Sequence, residues 1–236
     1  MTCIVLLPGM DGTGKLFSNF LLALDKNFEP IVISYPVDGP QDYETLKKFT
    51  LGLLPLNRPF FILAESFSGP LAIALAASRP SGLMGLVLCA SFDRNPIPFL
   101  RLLRWAVGCL PISSKFTSFI APLLFGRFST NELVASTRTA LNFVSTSALR
   151  ARMKAVIDVN VSHQVRQIEV PILYLQALED RIISDAVLRR LLMENSEIEV
   201  AQFMGPHLLL QATPKETAKV VTAFFDRIQT KVSNQI

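Results

Sequence analysis

The sequence predicts an α/β chain: a mostly parallel sheet of about six strands, helices on both faces, and one helical insertion after the fourth strand. Two observations carry this. Short uninterrupted apolar runs, the mark of strands buried on both faces, alternate with segments of helical period. That alternation breaks between residues 93 and 165, where helical patterns and prolines run on without a convincing strand, and then resumes.

Thr2 to Leu7 is the first apolar run, with a helix expected over about 14–25. Pro30 to Ser34 is the second strand, followed by a helix near 42–54. "PFFILA" (59–64) is the third, and the Ala- and Leu-rich segment 70–78 behind it is a helix whose Pro70 sits where a missing N–H costs least. "LMGLVLCA" (83–90) is the fourth strand. After the interruption come "VPILYLQA" (170–177), a helix from Ser184, a strand around Glu197 to Phe203 and a last helix. Thr213-Pro214-Lys215-Glu216 reads as a capping box with proline at the first helical position. The interruption holds no long polar Gly/Ser stretch, so it is an insertion and not a linker. The expected division is a core domain of residues 1–92 and 166–236 and a helical cap of residues 93–165.

Composition narrows the class. The chain has 236 residues, half of them hydrophobic and 18% charged, enough for one well-buried core and too apolar for disorder. Cys3, Cys89 and Cys109 are too scattered for a disulfide framework or a metal site, and their apolar surroundings predict buried, inert thiols. Residues 2–7 are too short for a secretory signal and follow no basic region. The apolar stretch 97–126 is broken by Arg101, Arg104, Pro111, Lys115 and Pro122, short of the roughly 18 uncharged residues a membrane span needs. A cytoplasmic location is expected.

"AESFSG" (64–69) ends the third strand and has the form of a nucleophile elbow, where residues two places either side of the nucleophile must be small. Ala64 and Ser68 flank Ser66 in that way; with Ser68 as nucleophile the small position would fall on bulky Pro70. An ordinary helix N-cap serine is the plainer alternative. Serine needs a base, and the chain has two histidines. His207 follows the last strand, at the carboxyl edge of the sheet where Ser66 sits; His163 lies in the segment returning from the insertion, away from that edge. The imidazole needs a carboxylate, and Asp180 in "LEDR" follows the strand before. Glu179 and Asp185 compete, the latter read as a first-turn helix acid.

The loop after the first strand, "PGMDGTGKL" (8–16), also fits a phosphate-binding G-x-x-x-x-G-K, but Leu16 stands where Ser or Thr would hold Mg²⁺. An elbow serine instead needs an oxyanion hole, built from the N–H after the nucleophile, Phe67, and one from this loop, with Met10 the natural donor.

The order Ser66, Asp180, His207 is that of α/β-hydrolases. On "LLPGMDGTG", "AESFSG", "LEDRIIS" and "GPHLLLQATP" the chain resembles that superfamily from end to end. Within it, the chain looks like compact, capped bacterial carboxylesterases, including the kind that demethylates pimeloyl esters on acyl carrier protein. "LPGMDGTG" with "ESFSG" is also similar, locally, to plastid phytyl ester synthases, which are acyltransferases. Pro8 stands where many members have His, and Ala64 and Ser68 replace elbow glycines. The resemblance implies acyl transfer through an ester on Ser66, to water or to an alcohol, with no cofactor and no metal. A non-catalytic binding protein on the same fold is the remaining alternative.

Residues 93–165 hold nine Arg or Lys against three acids, a net of +6 where the whole chain carries +4. They also hold Phe99, Trp105, Phe116, Phe119, Phe125, Phe128 and Phe143. A lid with aromatics inward and basic residues outward fits both facts. It predicts an apolar acyl pocket for a small-molecule ester and a rim for an acyl carrier protein, an anionic head group or an anionic membrane surface. Equally, the aromatics only pack the lid and the arginines are only solvated. Nucleic acid is not expected, since no exposed basic stripe forms.

Overall fold

The computed structural model describes residues 2–109 and 114–233. Pro111 and the side chains of Cys109, Lys115, Phe116 and Phe119, all invoked above, lie outside the described residues.

Six strands form one sheet: β1 (Thr2–Leu7), β2 (Phe28–Val32), β3 (Phe60–Glu65), β4 (Leu83–Cys89), β5 (Ile172–Ala177) and β6 (Glu199–Phe203). Their order is β2-β1-β3-β4-β5-β6 and every pairing is parallel. The helices are α1 (Ser18–Ala23), α2 (Tyr43–Leu51), α3 (Gly69–Ala77), α4 (Ser114–Phe125), α5 (Asn131–Asn142), α6 (Thr146–Asp158), α7 (Ser162–Val165), α8 (Asp185–Glu194), α9 (Leu209–Ala212) and α10 (Pro214–Ser233). The two-residue period of a strand splits the core into two layers. Val5, Ile62 and Leu86 face α2, α3 and α8, while Ile4, Leu63 and Val87 face α1 and α10. In the second layer Phe61 and Phe225 stack with centroids 3.9 Å apart, and burying each such ring contributes roughly 1.5–3 kcal/mol.

Two expectations shift. β2 begins at Phe28 and contains Pro30 in its interior, where the sequence places it first. An edge strand tolerates this, because one row of its N–H groups has no partner strand. The Thr213 hydroxyl donates to the Leu209 carbonyl (3.0 Å), so the start of α10 rests on Pro214 and on the Thr217 N–H bond to the Thr213 carbonyl (3.1 Å).

The sheet reverses its winding between β1 and β3, since β2 lies outside β1 while β4 lies outside β3. Loops after β1 and β3 therefore open a crevice at the carboxyl edge. Between β4 and β5 the chain leaves the core at Asp93 and returns at Asn160. An Arg94–Asn160 antiparallel bridge and the Val161 N–H bond to the Asp93 carbonyl (2.8 Å) close that neck. The insertion's helices α5 and α6 are capped by Thr130 and Ser145, whose hydroxyls accept from Leu133 N–H (3.2 Å) and Ala148 N–H (3.1 Å). Among the described residues no helix is long and apolar enough to cross a membrane.

Candidate active site

β3 runs straight into a short 3₁₀ turn, Ser66–Ser68, and then α3. The change of direction is so sharp that Ser66 adopts φ 47°, a left-handed backbone that a non-glycine residue holds only when its surroundings enforce it. The enforcement is visible. Ser91 Oγ donates to the Ser66 carbonyl (2.6 Å), and Tyr174 OH donates to the Ser91 carbonyl (2.8 Å). A side chain at Gly69 would overlap the Ser91 hydroxyl, so only glycine lets α3 start this close to β4.

Ser68 is fully buried, donates its hydroxyl to the Pro8 carbonyl and shares a hydrogen bond with Tyr35 OH. It ties the elbow to the loop after β1 and does not line the cavity that Ser66 borders. Ser66 is half-buried and borders a cavity of about 430 Å³.

Ser66 Oγ lies 2.7 Å from His207 Nε2, and His207 Nδ1 lies 2.7 Å from Asp180 Oδ2. The other oxygen of Asp180 accepts the N–H groups of Ile182 (2.7 Å) and Ile183 (2.9 Å). An ionised carboxylate only accepts, so it fixes the imidazole proton on Nδ1 and turns the Nε2 lone pair toward Ser66. His207 and Asp180 are both buried, which keeps water from competing for these bonds. The competitors are occupied elsewhere. Glu179 pairs with Arg127, Asp185 accepts from the Gln176 amide (2.8 Å), and His163 is exposed on α7.

Met10 and Phe67 border the same cavity as Ser66 and His207. In the loop that carries Met10, the Gly12 N–H bonds the Gly9 carbonyl (3.0 Å), making a tight turn with Met10 and Asp11 at its centre. The Asp11 carboxylate is buried and accepts from the Thr13 N–H (2.8 Å) and hydroxyl. Lys15 lies on the outside, 4.2 Å from the centre of the Phe143 ring, and Leu16 is buried. The geometry is that of a tight turn beside Ser66, with Lys15 turned away and Leu16 packed inside, and not that of a phosphate cradle.

Two further groups went unread in the sequence. Glu65, next to Ser66, is fully buried at the end of β3. The Gln211 amide donates to its Oε2 (3.3 Å), and its Oε1 has no hydrogen-bond partner among the described residues. Burial first, then the neighbouring Asp11 carboxylate, push its pKa up to about 7, against the pull of Gln211 and His207. The one available signal was an acid at the inward-facing end of an apolar strand. The other is Arg152 on α6, 1% exposed, which nothing in the sequence separates from the other basic residues of the insertion.

The insertion covers the cavity with Ile120 and Leu124 of α4, Leu141 of α5, and Leu149, Met153 and Val156 of α6. Its aromatic residues do not turn inward as a set. Phe125 is buried and Phe128 half-buried, but Phe99, Trp105 and Phe143 are exposed. Among the described residues of the insertion, the pocket wall is made mainly of aliphatic side chains. Of the basic residues, Arg104 and Arg127 face outward, in ion pairs with Asp158 and Glu179, whereas Arg152 is buried. Cys3 and Cys89 are buried free thiols, and burial holds the Cys89 thiol well above its usual range.

The same architecture recurs in solved structures. An enol-lactonase from Burkholderia xenovorans LB400 matches with a TM-score of 0.84 at 18% identity, over 95% of this chain and 91% of its own. A thermophilic esterase from Thermogutta terrifontis matches at 0.84 and 16%, over 97% and 90%. A bromoperoxidase from Bacillus anthracis matches at 0.82 and 13%, over 95% and 92%. The chain has the α/β-hydrolase fold. Among curated proteins it is 36% identical over 111 residues to phytyl ester synthase 1 of Arabidopsis thaliana, a match covering 43% of this chain and only 16% of that protein's length. No family model matches the chain.

Proposed function

We propose that the chain is a serine hydrolase of carboxylic esters or thioesters with an apolar acyl group, working through Ser66, His207 and Asp180. The observation that carries this reading is the unbroken line of hydrogen bonds from Asp180 through His207 to Ser66, ending at the wall of an apolar cavity. Ser66 Oγ attacks the ester carbonyl carbon while its proton passes to His207 Nε2. The carbonyl oxygen, now negative, is held by the N–H groups of Phe67 and Met10. As the tetrahedral intermediate collapses, the bond to the leaving alcohol or thiol breaks and His207 returns its proton to that group. An acyl ester remains on Ser66. Water then loses a proton to His207, attacks the acyl carbon, and Ser66 is released with its proton restored. Asp180 stabilises the imidazolium in both halves.

A second reading differs only in the acceptor. The likeness to phytyl ester synthase 1 favours an alcohol in place of water, which makes the chain an acyltransferase. Ser66→Ala and His207→Ala test what both readings share. Each variant should fold, and each should lose at least ~10³-fold in kcat toward p-nitrophenyl esters. Normal turnover by either removes the assignment. Product analysis with a long-chain alcohol added then separates free acid from new ester.

A further inference from the structure

Arg152 projects from α6 of the insertion into the core and donates four hydrogen bonds there. Nη1 donates to the carbonyls of Met10 (3.0 Å) and Asp11 (2.7 Å), the two central residues of the turn after β1. Nε donates to Gln41 Oε1 (2.9 Å) and Nη2 to the Pro36 carbonyl (3.3 Å). The Tyr35 ring lies 5.6 Å from the guanidinium carbon. A side chain at Gly12 would overlap the guanidinium, so the turn is shaped around this one arginine. Burying a cation without a carboxylate partner is costly, and burial does hold the pKa of Arg152 below its usual value, offset by nearby Asp11 and Tyr35. A lid anchor has no need of such a residue, because an apolar side chain would pack there at lower cost.

What the arginine adds is orientation. The Gly9–Met10 peptide is planar and trans, so with its carbonyl turned to the Gly12 N–H, the Met10 N–H must point the other way. The next two carbonyls of the turn are held by Arg152. A turn fixed at all three peptides cannot rotate one of them under load. We propose that Arg152 is a positioning residue for the oxyanion: it locks the turn that presents the Met10 N–H, so the insertion supplies part of the order of the catalytic loop as well as a cover for the pocket. This rests on the Ser66 reading above. It assigns to Arg152 an effect on the transition state more than on the ester before reaction.

The test compares wild type, Ser66→Ala, Arg152→Met and Arg152→Lys. For each, kcat and KM are measured on p-nitrophenyl octanoate. Inhibition is measured with octyl trifluoromethyl ketone, which forms a tetrahedral oxyanion on the serine, and with octyl methyl ketone, which fills the pocket without that charge. Arg152→Met should lose roughly 10²–10³-fold in kcat, the scale of one oxyanion donor, with KM within about threefold. Its affinity for the trifluoromethyl ketone should fall by a similar factor and its affinity for the methyl ketone should not. Arg152→Lys keeps the charge but lacks the fork, so it should fall between. Folded Arg152 variants with unchanged kcat and trifluoromethyl ketone affinity overturn the proposal. So do equal losses for both ketones, or failure of both variants to fold, each of which makes Arg152 structural. A Ser66→Ala variant that still turns over identifies a different failure, that of the active site itself.

Discussion

Glu65 and Ser66 are adjacent in sequence, yet one is sealed in the core and the other opens on the cavity. The alternation of β3 points Glu65 toward α9, and the sharp turn at Ser66 then carries the chain away. That Ser66, Asp180 and His207 would meet was legible because each is a polar residue just past a strand, and the structure joins them by hydrogen bonds. Glu65 and Arg152 were not legible, because what singles them out is burial, and burial of a charged residue contradicts every local rule of patterning. Glu65 gives a pH test. Its folded-state pKa is raised to about 7, so the folded protein keeps a proton there that the unfolded chain has already lost above the ordinary glutamate range. Its contribution to stability is complete below that range and is lost as the pH rises to about 7. The loss is on the order of 3 kcal/mol. Thermal melts of wild type and Glu65→Gln across this window should diverge, with the variant gaining relative stability as the pH rises. Parallel curves would show that Glu65 ionises normally.

At the scale of elements, the apolar strands were readable because parallel strands buried on both faces leave continuous hydrophobic runs. Edge strand β2 was misplaced by two residues because proline reads as a boundary unless the strand's edge position is known. The insertion left two readings open. Its composition offered seven aromatics for the pocket, but among the described residues aliphatic side chains of α4, α5 and α6 line the wall, and Phe99, Trp105 and Phe143 face outward. Helix faces, not composition, decide which side chain points in. Such a wall should sort acyl groups by length, since each methylene withdrawn from water contributes about 0.8 kcal/mol, roughly fourfold in kcat/KM. Met153→Trp should fill part of the cavity. Measured over p-nitrophenyl esters of increasing chain length, it should move the optimum to shorter chains and lower kcat/KM on the longest ester about tenfold or more. An unchanged profile would place the acyl group elsewhere.

The whole molecule joins two facts. The sheet reverses at β1 and β3, which brings the loop carrying Met10 beside the elbow carrying Ser66. The insertion then reaches back through Arg152 to hold that loop. The fold alone would not yield this, since structures of the same architecture include a lactonase, an esterase and a bromoperoxidase. The proposed function rests on the site, where His207 would activate Ser66. The most direct measurement is labelling of the folded protein with a fluorophosphonate, followed by peptide mass mapping. One adduct is expected, on Ser66, absent when His207 is replaced by Ala. An adduct on Ser68, or none on folded wild-type protein, would contradict the proposed function.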